Sequence, residues 1–226
     1  MTTEDPRSVF RLRSFVRRDS RKTAAQARAH QECWPAVGLS CAAGICDWVA
    51  VFGREAPCFL EIGFGMGQSL VAAAAAFPAA NFIGVETHQP GVGALLLNMQ
   101  AQGLSNLRVF DEDVVDVLAK AIPDASLDGV HIFFPDPWQK RRHHARRLVQ
   151  SAFLKTILQK LKPGGELHLA TDWEDYAKHM QAVIAAEPQF RVSSRGRSPY
   201  RPIISKFEQR ALDEGRVIAE WQLVKL

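Results

Sequence analysis

An acid and an indole stand in a proline-rich turn, residues 133–138 (FFPDPW), and the basic segment 140–147 follows it at once. The mostly apolar residues 130–134 that lead into the turn are typical of a buried strand, which the two prolines end. In an open α/β sheet, ligands bind at the carboxyl ends of the strands. An apolar wall, the carboxylate of Asp136 and a cationic flank therefore suit a nucleobase attached to a phosphate backbone. The alternative is a surface turn beside a solvated basic helix.

A glycine-rich loop, residues 61–67 (EIGFGMG), follows the first strand of an alternating pattern. Glycine is required where the backbone takes a positive φ or lets a ligand approach closely. Gly63, Gly65 and Gly67 have the spacing G-x-G-x-G, and not the G-x-G-x-x-G of dinucleotide sites, because position 68 is Gln. The missing pyrophosphate signature favours a ligand without phosphate, such as S-adenosylmethionine.

Three acids are predicted to lie around this loop. Glu86 ends the second strand, where a carboxylate can accept hydrogen bonds from both ribose hydroxyls. Asp113 follows the third strand and can accept a hydrogen bond from an adenine amino group. Glu61, beside the glycine loop, can meet the cationic amino-acid end of the cofactor. The alternative is that Glu86 and Asp113 are helix N-caps or solvated loop acids.

Strands and helices alternate from Cys58 onward, which predicts an α/β domain with a Rossmann-like, doubly wound, mostly parallel seven-stranded sheet. The last two strands are expected to pair as an antiparallel hairpin at the edge of the sheet. Predicted strands cover 58–62, 81–86, 107–110, 129–134, 167–170, 190–193 and 217–224. Predicted helices cover 67–77, 90–102, 114–121, 146–161 and 173–186.

The composition, 47% hydrophobic and 23% charged over 226 residues, is sufficient for one large core. The chain has no run near the roughly 20 apolar residues that cross a membrane and no apolar signal core. The predicted location is therefore the cytoplasm, with no membrane partner. The four cysteines form no Cys-x-x-Cys pair and have no His cluster nearby, so we expect reduced thiols and no metal.

Basic residues are concentrated in three islands, 7–28, 140–147 and 191–206, which hold eight, five and five of the 28 Lys and Arg. These basic islands contain one acid, Asp19, and the rest of the chain is net acidic. This distribution predicts a polyanionic partner, with the arginines of all three islands on phosphates. The alternative is three unrelated solvated stretches. Residues 1–35 are predicted to form a basic, partly disordered arm with a short helix near 23–33 that contacts this polyanion, and 36–226 a single domain.

Seven short motifs together resemble the bacterial tRNA (guanine-N7-)-methyltransferases of the TrmB type, from Arg13 to the C-terminus. They are 13–18 (RSFVRR), 60–67 (LEIGFGMG), 90–93 (PGVG), 103–108 (GLSNLR), 133–138 (FFPDPW), 170–173 (ATDW) and 206–208 (KFE). The resemblance implies a class I S-adenosylmethionine-dependent methyltransferase fold. It implies methyl transfer from S-adenosylmethionine to N7 of a guanosine in the tRNA variable loop, giving 7-methylguanosine. No obligatory protein partner is evident.

The resemblance also implies the site residues. The cofactor would be bound by the three loop glycines and by Glu61, Glu86, Asp113 and Asp136. The guanosine would be bound by Lys140, Asp172, Ser205, Lys206, Phe207 and Glu208, where Ser205 replaces a threonine frequent in relatives and keeps the hydroxyl. The RNA would be contacted by Arg142, His143, Arg146 and Arg147, together with Arg17 and Arg18 of the arm.

Guanine N7 carries a lone pair and no proton, so its attack on a methyl group needs no general base. Rate enhancement is then expected from positioning and electrostatics. Methylation places positive charge on the imidazole ring, which Asp136 is predicted to stabilise. Asp172 or Glu208 is predicted to accept hydrogen bonds from the guanine N1–H and amino group. Trp138 either stacks on the base or fills the top of the sheet.

Three other functions explain part of the sequence. A methyltransferase acting on small molecules or proteins explains the glycine loop but not the basic islands. A dinucleotide-dependent oxidoreductase is disfavoured by the glycine spacing and by the lack of a proton-relay motif. A non-catalytic RNA-binding protein with a vestigial fold is disfavoured by the intact acids at 61, 86, 113 and 136.

Overall fold

The computed structural model describes residues 22–194 and 196–226. Its strands are β1 (Gly38–Leu39), β2 (Cys58–Ile62), β3 (Asn81–Val85), β4 (Leu107–Phe110), β5 (Leu127–Phe133), β6 (Leu161–Thr171), β7 (Phe190–Ser194) and β8 (Ala219–Lys225). Its α-helices are α1 (Ala24–Val37), α2 (Trp48–Phe52), α3 (Gln68–Ala76), α4 (Gln89–Gln102), α5 (Val114–Lys120), α6 (Ser151–Lys160), α7 (Glu174–Ala185) and α8 (Lys206–Asp213). Two short 3-10 helices cover Cys41–Ala43 and Arg141–Arg146.

All strands belong to one sheet with the order β1-β4-β3-β2-β5-β6-β8-β7. Within the described chain, β8 alone runs opposite in direction to the other strands, so the mostly parallel, doubly wound sheet is confirmed. The two-residue β1 adds an eighth strand to the seven predicted. The chain runs outward from β2 to β4 on one side and resumes at β5 on the other. The strand order therefore reverses between β2 and β5, which is where such sheets bind ligands.

The central strands are buried on both faces, which explains their continuous apolar sequences. Every residue of β2 and β3 is buried. One core, around Leu60 and Val130, includes residues of α5, α6 and α7, and the other, around Phe82 and Leu95, includes residues of α1, α3 and α4. Packing on both sides holds the strand ends along a common edge.

The predicted helix 146–161 is wrong at its start. Residues 141–146 form a 3-10 helix, and α6 begins only at Ser151. Arg147 is extended, with φ −56° and ψ 130°, and the Val149 N–H donates to the Tyr176 hydroxyl at 3.0 Å rather than to a helical carbonyl. A tertiary contact thus replaces a local one at this position.

Two further elements differ from the prediction at the C-terminal side. Strand β6 begins at Leu161, which pairs with Leu127, and pairing shifts register before Glu166 meets Gly129. The hairpin partners β7 and β8 are antiparallel as predicted, but α8 lies between them in the chain. The sequence analysis missed α8, although Ser205 and Glu208 have the S-x-x-E spacing that is typical of a helix N-terminus.

The N-terminal helix α1 is longer than the predicted 23–33 and packs on α4, where the Gln26 side-chain amide donates to the Pro90 carbonyl at 3.1 Å. The predicted boundary between arm and domain at residue 35 falls inside this helix. Residues 1–21, with Arg17 and Arg18, lie outside the described residues. The four cysteines are free thiols.

In the described ranges, no helix has both the length and the apolar content to cross a membrane. A search of the same ranges finds no group of three or more His, Cys, Asp or Glu side chains placed to hold a metal ion.

Candidate active site

A cleft of about 230 Å³ opens at the carboxyl ends of β2 to β5, at the reversal of strand order. One side, here called the glycine wall, consists of the loops after β2 and β3 and includes Gly63, Gly65 and Glu86. The facing side, the proline wall, is the loop 134–138 after β5 and includes Pro135 and Asp136. Residues predicted from two separate motifs thus meet at one cleft.

The glycine wall depends on backbone that only glycine adopts easily. Gly63, Gly65 and Gly67 have φ of +75°, +58° and +74°, in the left-handed region that penalises other residues. A Cβ added to Gly91 of α4 would lie 2.1 Å from the Gly65 carbonyl oxygen. The loop therefore packs directly on the start of α4, which explains the second glycine motif at 90–93.

Glu86 holds this loop in place. One carboxylate oxygen accepts from the Gly65 N–H at 2.9 Å, and the other accepts from Thr87 and His88 N–H groups at 2.7 and 2.8 Å. A carboxylate offers about four lone-pair sites, so three are used within the protein. About one acceptor site is left for a ligand hydroxyl, whereas the sequence analysis expected Glu86 to accept from both ribose hydroxyls.

Glu61 is buried at 4% exposure, and its Oε2 has no hydrogen-bond partner in the described structure. Burial raises the pKa of Glu61 to about 8, and Arg201 opposes that shift. Its neighbours Ile62 and Gly63 line the cleft, whereas Glu61 itself does not. An unsatisfied buried acid is costly, and it suits the arrival of a cationic group at the glycine wall.

The third predicted acid, Asp113, is the N-cap of α5 and accepts from the Val115 N–H at 3.0 Å. Its neighbours Glu112 and Val114 line the cleft instead. The sequence reasoning missed Glu112, whose carboxylate accepts from the Cys41 N–H at 3.1 Å. Three consecutive acids at 111–113 signal an acidic strand end but do not indicate which side chain faces a ligand.

The proline wall is bounded by two residues in left-handed backbone, Phe134 at φ +52° and Trp138 at φ +47°. Each non-glycine residue in this region costs about 1–3 kcal/mol and persists where surrounding contacts enforce it. Arg146 lies 4.8 Å above the Trp138 ring, and His143 meets that ring edge-on at 5.8 Å. One face of the half-buried indole is therefore covered by a guanidinium group. Asp136, between the two prolines, is exposed.

Arg147 also supports the proline wall. Its Nε donates to the Pro137 carbonyl at 3.0 Å, and its Nη2 pairs with Asp175 at 2.5 Å. The guanidinium lies 4.9 Å from the Tyr176 ring centre, and the side chain is only 2% exposed. The expectation that Arg147 contacts RNA is therefore corrected, because burial removes its charge from the surface.

Comparison with known proteins decides the family. Residues 55–221 match a family model described as "Putative methyltransferase". The chain is 52% identical over 220 residues to the tRNA (guanine-N(7)-)-methyltransferase of Idiomarina loihiensis, covering 95% of this chain and 89% of that protein. It is 50% identical to the Aeromonas hydrophila protein of the same name, covering 98% and 94%. The chain belongs to this methyltransferase family.

The fold of the methyltransferase agrees with solved structures. A 16S rRNA (adenine(1408)-N(1))-methyltransferase from Catenulisporales acidiphilia, solved with cosubstrate SAM, aligns with TM-score 0.55 and 16% identity. The alignment covers 83% of this chain and 92% of that one. The class I methyltransferase fold implied by the sequence motifs is confirmed.

The predicted guanosine-binding residues Asp172 and 205–208 of the methyltransferase lie after β6 and at the start of α8. Phe207 lines the cleft and is 68% exposed. Asp172 pairs with Arg216 at 2.5 Å and keeps an 18% exposed carboxylate. Ser205 caps α8 by accepting from the Glu208 N–H at 3.2 Å, while the Glu208 carboxylate is buried between two arginines.

On the basic flank, Lys140 and Arg142 are exposed, and His143 and Arg146 are partly exposed. The third basic island behaves differently, because Arg201 is 1% exposed and ion-paired inside the protein. The expectation that every arginine of the islands binds phosphate is therefore corrected at Arg147 and Arg201. Lys206, next to Phe207, is exposed.

Proposed function

We propose that this enzyme transfers the methyl group of S-adenosylmethionine to N7 of a guanosine in the variable loop of tRNA, giving 7-methylguanosine. The observation that carries the proposal is the cleft in which a positive-φ glycine wall faces Asp136 and an exposed aromatic ring, Phe207. Relatives about 50% identical over nearly the whole chain have the name of this activity.

The glycine wall fits this cofactor. The backbone at Gly63 and Gly65 leaves room for close approach, and Glu86 keeps about one acceptor site for a ribose hydroxyl. The unpartnered Oε2 of Glu61 suits the cationic amino-acid end. Asp113, whose Oδ1 caps α5, is proposed to accept a hydrogen bond from the adenine amino group through Oδ2. When bound, S-adenosylmethionine supplies an electrophilic methyl group on a positively charged sulfur.

On the proline wall, Asp136 is proposed to stabilise the positive charge that develops on the guanine imidazole ring. No residue has to remove a proton, because N7 attacks through a free lone pair. The side chains therefore act by holding the base in line with the methyl group and by excluding misaligned poses. The restrained turn from Phe134 to Trp138 suits this task, since it fixes where the carboxylate stands.

The guanine itself is proposed to stack on Phe207, a contact worth about 1–3 kcal/mol in single-stranded nucleic acids. Two acids were candidates for the N1–H and amino group. Glu208 is buried between Arg197 and Arg201, so we assign these hydrogen bonds to Asp172. Ser205 positions the start of α8, and Lys140 and Lys206 are proposed to contact the phosphates of the guanosine.

The RNA path is proposed to run over Arg142, His143 and Arg146 and over the arm that carries Arg17 and Arg18. The arginines would neutralise phosphates and His143 would contact one, with recognition coming from RNA shape and an unstacked base. We propose that tRNA is the only macromolecule required and that the enzyme acts in the cytoplasm, where this substrate is available.

The decisive experiment is methyl transfer from labelled S-adenosylmethionine to unmodified tRNA, followed by aniline cleavage at the modified nucleoside. Cleavage at a variable-loop guanosine is the expected result and reports both the reaction and the N7 position. Label that enters tRNA without aniline cleavage would support methyl transfer to tRNA but refute N7 as the methylated atom. Cofactor binding without incorporated label would refute tRNA as sufficient substrate.

A further inference from the structure

A fully buried arginine lies between β7 and α8. Arg201 is 1% exposed, although it belongs to a basic island whose charge pattern suggested a phosphate-binding surface. Burying a guanidinium group is expensive unless carboxylates and further contacts compensate for the lost hydration. The contacts of the buried Arg201 side chain therefore indicate its role.

Arg201 joins two separate chain segments by ion pairs. Its Nη1 is 2.8 Å from Oε2 of Glu208 on α8, and its Nη2 pairs with Glu220 on β8. Arg197 also pairs with Glu208, and it donates to the backbone carbonyls of Arg201 and Ile203. The beginning of α8, which presents Phe207 to the cleft, is thus tied to strand β8 of the sheet.

The same guanidinium group also touches the proline wall. It lies 5.1 Å from the ring centre of Phe134 and 5.5 Å from that of Phe133. Phe134 has the left-handed backbone that turns the chain into Pro135 and Asp136. One side chain therefore contacts the supports of both cleft elements proposed to hold the guanine, the aromatic ring and the carboxylate.

We propose that Arg201 is a positioning residue that sets the separation of Phe207 and Asp136 across the cleft, through its ion pair with Glu208 and its stacking on Phe134. This inference rests on the proposed function, because the two groups it spaces are those assigned to the guanine. A displacement of about 1 Å at a reacting group can cost about 100-fold in rate. The glycine wall lies outside these ion pairs, and the Arg201 charge reaches the cofactor residues at Glu61, where it acts on the pKa second to burial.

The test compares Arg201→Gln, the charge-retaining Arg201→Lys, Glu208→Gln and the double variant R201Q/E208Q. The matched control is Arg210→Gln, which removes an exposed arginine–glutamate pair on the same helix. Each protein is assayed for kcat and KM with tRNA and, separately, for the Kd of S-adenosylmethionine. Cofactor binding also reports whether the glycine wall is folded in each variant.

We expect R201Q to lower kcat/KM for tRNA about 100-fold and to change the cofactor Kd much less, through the loss of the Arg201 charge that acts on Glu61. The loss of kcat/KM should be smaller in R201K. An ammonium group keeps the charge, but it does not reproduce the planar guanidinium that pairs with two carboxylates at once. The combined loss in the double variant should be smaller than the product of the two single losses, since Arg201 and Glu208 share an ion pair. R210Q should match the wild type within about twofold.

Three results would overturn the inference: wild-type kcat/KM in R201K and R201Q, cofactor affinity falling in parallel with kcat/KM, or losses that multiply in the double variant. Parallel loss would mean that Arg201 only stabilises the fold. A wild-type protein that binds the cofactor but never methylates tRNA would instead overturn the proposed function and the inference with it. The wild-type assay therefore separates the two failures.

Discussion

The two walls of the cleft are stabilised by different kinds of interaction. The glycine wall is a backbone structure, in which three glycines take positive φ and Glu86 accepts from N–H groups of Gly65, Thr87 and His88. The proline wall is held by side chains from distant segments, with Arg147 on the Pro137 carbonyl and Arg201 on the Phe134 ring. Cofactor binding and substrate binding should therefore fail separately under mutation.

The largest separation is expected for Asp136→Ala. Loss of a carboxylate beside developing charge should lower kcat about 100- to 1,000-fold, the range seen when one preorganised electrostatic partner is removed. The cofactor Kd should change less than kcat, because Asp136 is only one of the acids expected at the cofactor and the glycine wall is untouched. Single-turnover methylation measures the first quantity and equilibrium titration the second.

A matched control for this variant is Asp116→Asn, which removes an exposed acid paired with Lys120 on α5 and should leave both quantities near wild type. Near-normal single-turnover rates in Asp136→Ala would assign the acid to the cofactor alone.

Glu86→Gln is expected to have the opposite pattern, with the main effect on cofactor binding. The substituted amide keeps one acceptor oxygen and loses hydrogen bonds to a charged group, each worth about 1.5–3 kcal/mol. The cofactor Kd should rise about 10- to 100-fold, with tRNA binding unchanged. Glu174→Gln, an exposed acid paired with Lys178, is the control. Equal weakening of tRNA binding would mean that the walls are not independent.

Two arginines of one basic island sharpen the comparison further. Arg147→Gln should lower kcat about tenfold through the lost bond to the Pro137 carbonyl. It should leave the salt dependence of tRNA binding unchanged, because the guanidinium is buried. A reduced salt dependence in this variant would place Arg147 on a phosphate after all.

Arg142→Gln should affect tRNA binding and its salt dependence, and not kcat. It should raise KM for tRNA severalfold and reduce the slope of log affinity against log salt by about 1, as for the loss of one phosphate contact. The kcat should stay near the wild-type value. An unchanged KM and slope would remove Arg142 from the RNA path.

The smallest expected effect is a proton released on cofactor binding. Burial raises the pKa of Glu61 to about 8, so at pH 7 the buried carboxyl is mostly protonated. An arriving cation favours the carboxylate, so binding should release up to one proton. Calorimetry in buffers of different ionisation enthalpy measures this, and Glu61→Gln should abolish it. A wild type that releases no proton would place the cationic end elsewhere.

The sequence predicted the central strands and the glycine wall well because their signals are local. Strands β2 to β5 are apolar runs ended by glycine, proline or acid, and parallel strands ending at one edge bring those ends together. Helix α8 was missed because it is short and only Glu208 and Ala211 are buried in it, although Ser205 and Glu208 have the S-x-x-E spacing of a helix N-terminus. The start of α6 was misplaced because the Val149 N–H bonds to Tyr176, 27 residues away.

By itself, the sequence determined the order of strands and helices, the positive-φ loop and the acids at strand ends, because these depend on residues close in the chain. Only the tertiary structure decided which arginines face solvent. Arg142, Arg147 and Arg201 stand in similar basic stretches, yet Arg147 meets Asp175 and Arg201 meets Glu220, 28 and 19 residues away. A guanidinium group becomes buried where folding places a carboxylate beside it. Because that carboxylate is distant in the sequence, the charge of the neighbouring residues does not predict the burial.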